Sequence, residues 1–178
     1  MRLRPTAVPG AFIVELAPAG DERGWFARTF DAQEFAAHGL EAGIAQCSTS
    51  FNARAGTLRG LHYQAAPHEE CKLVRCTRGR LYDVVLDLRP ESRGKWLGVE
   101  LTPDNALSVY VPSGCAHGFQ TLEDSTEVSY QISTPYVPDA GRGVRWDDPA
   151  IGVEWPEPPR GTDRVVSARD ASWPNWDP

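Results

Sequence analysis

The chain has 178 residues, 41% of them hydrophobic and 24% charged, with a formal net charge of -6. That length suits one domain over residues 1–178 with a sizeable core and leaves too little chain for a second full domain. The acidic balance disfavours nucleic acid and anionic membrane as partners. No apolar run approaches the ~18 residues of a membrane span, and none follows the basic start Met1-Arg2-Leu3-Arg4-Pro5 as in a signal peptide, so a cytoplasmic protein is expected.

The 16 glycines and 15 prolines are spread along the chain, cutting it into short segments as an all-β sandwich or barrel requires. The first element predicted is a short helix, with Asp31 as N-cap, Glu34 three residues later, and Gly39 to end it. Strands are predicted over Leu81–Leu88 after the turn at Arg78-Gly79, over Trp96–Thr102, over Leu107–Val111 and over Thr126–Ser133. In the last of these Val128, Tyr130 and Ile132 share one face, and Glu127, Ser129 and Gln131 the other. Beyond Val137 the chain is rich in Pro, Trp and Asp; this tail is expected to be irregular and ordered by packing of Trp146, Trp155, Trp173 and Trp176. Cys47, Cys71, Cys76 and Cys115 form no CxxC pair and are expected to be reduced thiols.

Three segments bring together side chains that can carry chemistry. In Leu58-Arg59-Gly60-Leu61-His62-Tyr63-Gln64, strand alternation puts Leu58, Gly60 and His62 on one face; a core histidine beside a surface arginine explains the segment equally well. In Cys71-Lys72-Leu73-Val74-Arg75-Cys76, Lys72 shares a face with Val74 and Cys76, so its amine needs a partner or a function, unless it snorkels to the rim. Pro112-Ser113-Gly114-Cys115-Ala116-His117 has the Pro-x-Gly-x-x-His spacing of the second half-motif of cupins. The four histidines, His38, His62, His68 and His117, include no His-x-His pair, which leaves a cupin metal without its usual ligands. Tyr130 points inward by alternation, and Asp170 stands late in the tail, where alone it says nothing.

Taken together, these stretches resemble the dTDP-4-dehydrorhamnose 3,5-epimerase family from about Gly20 to Asp170. The matching segments are Asp21–Phe26, Gly56–Gln64, Lys72–Cys76, Tyr82-Asp83-Val84 with Asp87-Leu88-Arg89, Ala116–Phe119, Tyr130 and Val144–Pro149. The resemblance implies a cupin-like jelly-roll β-barrel with one or a few short helices, using no metal and no other cofactor. It implies a nucleotide-sugar substrate, His62 as general base oriented by Asp170, Lys72 on the developing enolate, and Tyr130 returning the proton. It places Arg23 and Arg59 on the diphosphate, Phe26, Gln46, Ser48 and Tyr136 around the nucleotide, and His117 and Arg169 on the substrate as well. It also implies a homodimer whose second subunit helps build the nucleotide end. The chain departs from the family pattern at Arg28, where many members carry glutamate, in the run Gln46-Cys47-Ser48-Thr49-Ser50-Phe51-Asn52, and at Arg169, where lysine is usual. Three alternatives remain at this stage: an epimerase acting at one carbon, a barrel that binds a sugar nucleotide without turning it over, and a metal-dependent cupin. The sequence leaves the base, the sugar and the pathway open.

Overall fold

The computed structural model describes residues 1–176. Six antiparallel strands form the first sheet in the order β1 (Arg2–Pro5), β2 (Phe12–Glu15), β10 (Leu107–Val111), β7 (Lys72–Arg78), β12 (Thr126–Ile132) and β5 (Gln46–Asn52). The second sheet runs β13 (Gly141–Gly143), β6 (Thr57–Gln64), β11 (Cys115–Thr121), β8 (Leu81–Asp87) and β9 (Trp96–Leu101), with β14 (Val165–Val166) added parallel to β6. A separate two-stranded hairpin joins β3 (Ala19–Asp21) to β4 (Gly24–Phe26). This is the all-β jelly roll that the sequence predicts, and its two main sheets share no strand pairing among the described residues. The four predicted strands all form, three of them one residue shorter than expected.

Side-chain alternation divides the apolar residues into layers. Val74, Cys76, Leu81, Val85, Val109, Val111, Cys115, Phe119 and Val128 form one buried cluster drawn from both sheets. Leu61, Val84, Leu86 and Ala116 form another with Val144 and Ile151 of the tail, and Trp155 and Trp176 pack against it. β8 contributes to both clusters, with Leu81 and Val85 in the first and Val84 and Leu86 in the second. A third cluster joins Val14, Leu73 and Tyr110 to Phe35 of helix α1 (Ala32–Ala37). Asp31 caps that helix as expected, accepting from the backbone N–H groups of Gln33 and Glu34 at 3.0 and 3.2 Å.

The tail carries more regular structure than expected. Besides β13 and β14 it holds a helical turn at Pro138–Ala140 and a four-residue helix, α2 (Ala168–Ala171), with Ser167 as N-cap. Its indoles act as anchors: Trp155 donates to the Trp146 carbonyl at 2.8 Å, and the Arg164 guanidinium lies 4.8 Å over the Trp146 ring. All four cysteines are free, and burial pushes the Cys76 thiol up to about 11 and the Cys115 thiol to about 12. Among the described residues no helix is long and apolar enough to cross a membrane.

Candidate active site

One irregularity in the second sheet decides what the site contains. His62 of β6 stands opposite His117 of β11, while Arg59 stands opposite Phe119, so three steps along β6 match two along β11. The extra residue is a β-bulge, and it reverses the alternation between Arg59 and His62. The expectation that Leu58 and His62 share a face is therefore overturned: Leu58 pairs with Gln120, whose amide donates to the Pro156 carbonyl of the tail, whereas His62 and Arg59 both line the cavity. Glycine is needed at the bulge. Gly60 has φ 147, and a Cβ there would lie 2.7 Å from Cα of Gly118 on the neighbouring strand.

The cavity has a volume of about 490 Å³ and is bordered by β5, β6, β7, β11, β12 and the tail. That size holds a ligand of a few hundred daltons. His62, Lys72, Tyr130 and Asp170 all line it, as do Gln46, Ser48, Arg59, His117, Tyr136 and Arg169. Arg23 and Phe26 do not. They sit on the β3–β4 hairpin, where Arg23 pairs with its neighbour Asp21 and Phe26 is 77% exposed.

His62 Nε2 lies 2.7 Å from Asp170 Oδ1. A carboxylate only accepts, so Nε2 carries a proton, and in the neutral ring Nδ1 is the nitrogen with the free lone pair. Asp170 is buried and held by α2, where its backbone N–H donates to the Ser167 hydroxyl at 3.0 Å. Burial works to raise the Asp170 pKa, but the hydrogen bond and charge of His62, with the Gly60 backbone and Trp173, outweigh it, and the carboxyl lies below its ordinary value. The Trp173 ring meets the His62 ring edge-on with centroids 6.4 Å apart, and the Arg169 guanidinium lies over the Trp173 ring, 5.3 Å from its centroid.

Lys72 does have a partner, one not among the residues predicted for the site: Nζ lies 2.9 Å from Glu70 Oε1 and donates to the His62 carbonyl at 3.4 Å. The signal for Glu70 was present, because residues two apart in an extended segment fall on one side. A second imidazole–carboxylate pair lies behind the first. His117 Nε2 is 2.8 Å from Asp83 Oδ2, and both residues are buried. The Tyr130 ring stands edge-on to His117 with centroids 6.2 Å apart. Burial, reinforced by the Asp83 charge, pushes the Tyr130 phenol far above its ordinary pKa, so it keeps its proton at neutral pH.

Other side chains fix the polar groups that line the cavity. Buried Asn52 accepts from Arg59 Nε at 2.8 Å while its own amide donates to the Thr126 carbonyl. Gln64 accepts from the Val137 N–H at 2.7 Å and Gln46 from the Tyr136 N–H at 2.8 Å, which tether the segment carrying Tyr136 to two strands. These supporting glutamines and Asn52 act through contacts between distant segments, which no local pattern announces.

A histidine with one nitrogen held by a carboxylate, a lysine and a protonated tyrosine around one cavity define an enzyme site suited to moving protons beside a carbonyl. The profile of the family described as dTDP-4-dehydrorhamnose 3,5-epimerase matches residues 5–177, and the chain belongs to that family of carbohydrate epimerases. The chain is similar to the dTDP-4-dehydrorhamnose 3,5-epimerase of Sinorhizobium fredii, with 44% identity over 158 residues, covering 88% of this chain and 80% of the relative. It is also similar to the crystal structure of the Elizabethkingia anophelis enzyme of that name, with a TM-score of 0.94 and 35% identity over 99% of this chain and 96% of the other. A 3'-monoepimerase from Streptomyces bikiniensis, solved in complex with dTDP-quinovose, matches with a TM-score of 0.87 and 30% identity over 96% and 86% of the two chains.

Proposed function

We infer that the chain, acting as one domain, inverts the carbons flanking the ketone of a nucleotide-linked 4-keto-6-deoxyhexose, converting dTDP-4-dehydro-6-deoxyglucose to dTDP-4-dehydrorhamnose. The observation that carries this is the convergence of His62, Lys72 and Tyr130 on a single cavity. The ketone at carbon 4 acidifies the protons on carbons 3 and 5. His62 takes one through Nδ1, and Asp170, holding Nε2–H, stabilises the imidazolium. The electron pair moves onto the carbon 4 oxygen, where the Lys72 ammonium meets it; a fixed cation there supplies several kcal/mol. Tyr130 gives its proton to the opposite face of the carbon, the enolate collapses to the ketone, and His62 and Tyr130 are reset through solvent. Repeating the cycle at the other carbon completes the double inversion. The substrate's oxidation state does not change, so no redox cofactor takes part.

Arg59, braced by Asn52, offers its guanidinium to the diphosphate, and Gln46, Ser48, Tyr136 and Arg169 border the space for the nucleotide. His117 and Asp83 support the sugar from behind Tyr130. Arg23 and Phe26 reach a site only across a subunit boundary: a homodimer in which each β3–β4 hairpin covers the partner's cavity explains an exposed hairpin that carries Trp25, Phe26 and Arg23. A cytoplasmic location fits the free thiols.

The test is hydrogen exchange, read by NMR, during incubation with dTDP-4-keto-6-deoxyglucose in deuterated water. Deuterium at both carbon 3 and carbon 5 is expected, and no exchange at either overturns the assignment. The likeness to a 3'-monoepimerase supports a second reading, inversion at one carbon, for which deuterium enters only there.

A further inference from the structure

Glu70 is a carboxylate inside a cavity meant for an anionic enolate, a costly placement without a specific use. Its side chain is 7% exposed. One oxygen, Oε1, is 2.9 Å from Lys72 Nζ, while the other, Oε2, is buried and has no hydrogen-bond partner. A carboxylate accepts about four hydrogen bonds. A buried acceptor without a donor calls for an explanation, and here the missing donor is one the protein does not supply. Glu70 itself lines the cavity, so a modest rotation about its broad terminal torsion turns the free oxygen toward a ligand while Oε1 stays within reach of Lys72.

We propose that Glu70 is a specificity-determining residue that accepts a hydrogen bond from the sugar hydroxyl on the carbon beside the ketone, so that Glu70 and Lys72 together grip an α-hydroxyketone. This rests on the assignment of Lys72 to the ketone oxygen. In a 4-keto-6-deoxyhexose the hydroxyl on carbon 3 is the neighbour of that oxygen, as Glu70 is the neighbour of the Lys72 ammonium. Lysine donates to the carbonyl oxygen and glutamate accepts from the hydroxyl. The ammonium faces the enolate oxygen, and the hydroxyl proton shields the free carboxylate oxygen from the developing anion. A sugar lacking the hydroxyl leaves that oxygen buried and unmatched, which is a penalty specific to the wrong substrate.

The experiment compares exchange of the carbon 5 proton in deuterated water for two sugars, dTDP-4-keto-6-deoxyglucose and its 3-deoxy counterpart. Wild-type protein is expected to favour the hydroxylated sugar by about 10- to 100-fold in kcat/KM, the worth of a hydrogen bond to a charged group. Glu70→Ala should slow the hydroxylated sugar and bring the ratio of the two within about threefold. Glu70→Gln, which keeps the shape and an acceptor oxygen, should retain part of the ratio. A role confined to propping Lys72 slows both sugars equally and leaves the ratio intact, so an unchanged ratio in Glu70→Ala and Glu70→Gln overturns the proposal, as does a wild-type protein that does not discriminate. Absence of exchange with the hydroxylated sugar in the wild-type protein instead removes the parent assignment, and the two failures are thus distinct.

Discussion

His62 and His117 are cross-strand partners in the ladder between β6 and β11, and each imidazole is bound through Nε2 to a carboxylate of its own, Asp170 for one and Asp83 for the other. What separates the two pairs is access. The His62 side chain is 42% exposed, whereas that of His117 is 5% exposed behind the Tyr130 ring. Of the two, only His62 presents a free nitrogen to open space. Replacing it is therefore expected to remove proton abstraction outright. His62→Gln is the informative variant, because its amide nitrogen reaches the position of Nε2, where it can still donate to Asp170 and spare a buried carboxylate from isolation. Exchange into the sugar should fall by at least about 10³-fold with the melting temperature nearly unchanged. Exchange near the wild-type rate would remove His62 from the role of base.

Replacing Tyr130 should separate abstraction from inversion. Its phenol is held protonated by burial and lies on β12, across the cavity from the strand that carries His62. In Tyr130→Phe the base and the Lys72 cation survive, so the enolate still forms. With no acid on the opposite face, the deuteron returns from the side of His62. Deuterium incorporation should persist within about tenfold of wild type, while formation of the inverted sugar drops by about 10²-fold or more. NMR of one reaction gives both numbers. Equal loss of exchange and inversion would place Tyr130 in the first proton transfer instead.

The Asp170 carboxyl has a lower pKa folded than unfolded, so its contribution to stability is complete above the unfolded value of about 4 and is lost as the pH falls through the folded value. Asp170→Asn should destabilise the protein by about 1–3 kcal/mol at pH 7. The difference in melting temperature between wild type and variant should narrow steadily below pH ~4. A difference that stays constant down to pH ~2 would mean that the His62 contact does not lower the Asp170 pKa.

How much of this was legible follows from the range of each contact. Periodicity of two placed Tyr130 and Lys72 on inward faces, because β12 and β7 are regular there, and the Asp31 cap is a purely local signal. The same rule failed at Leu58 and His62, since a bulge is set by how two distant glycines, Gly60 and Gly118, let the strands approach. Asp170 was silent on its own and gained meaning only from family resemblance, because its partner lies 108 residues away. Trp173 was expected only as a packing group of the tail, yet it stands against the His62 imidazole. Glu70 obeys the same rule, two residues before Lys72 and on its side of an extended segment.

The hairpin makes a prediction about where the active site ends. Trp25 and Phe26 are 58% and 77% exposed, and neither Phe26 nor Arg23 touches the cavity of its own chain. If each hairpin closes the partner's site, a chain carrying Arg23→Ala and Phe26→Ala keeps an intact proton-transfer set but lends a defective cover. A His62→Gln chain has the reverse defect. Each homodimer should be weak, the first through a raised KM, by about 10-fold or more given a lost guanidinium–phosphate contact and a lost aromatic contact. Mixed under conditions that exchange subunits, the two chains form heterodimers in which one site combines a sound base with a sound hairpin. Activity at low substrate should then rise above that of either parent, toward half a site set per heterodimer. A mixture that never exceeds the sum of its parents would assign the hairpin to its own chain, or to no site at all.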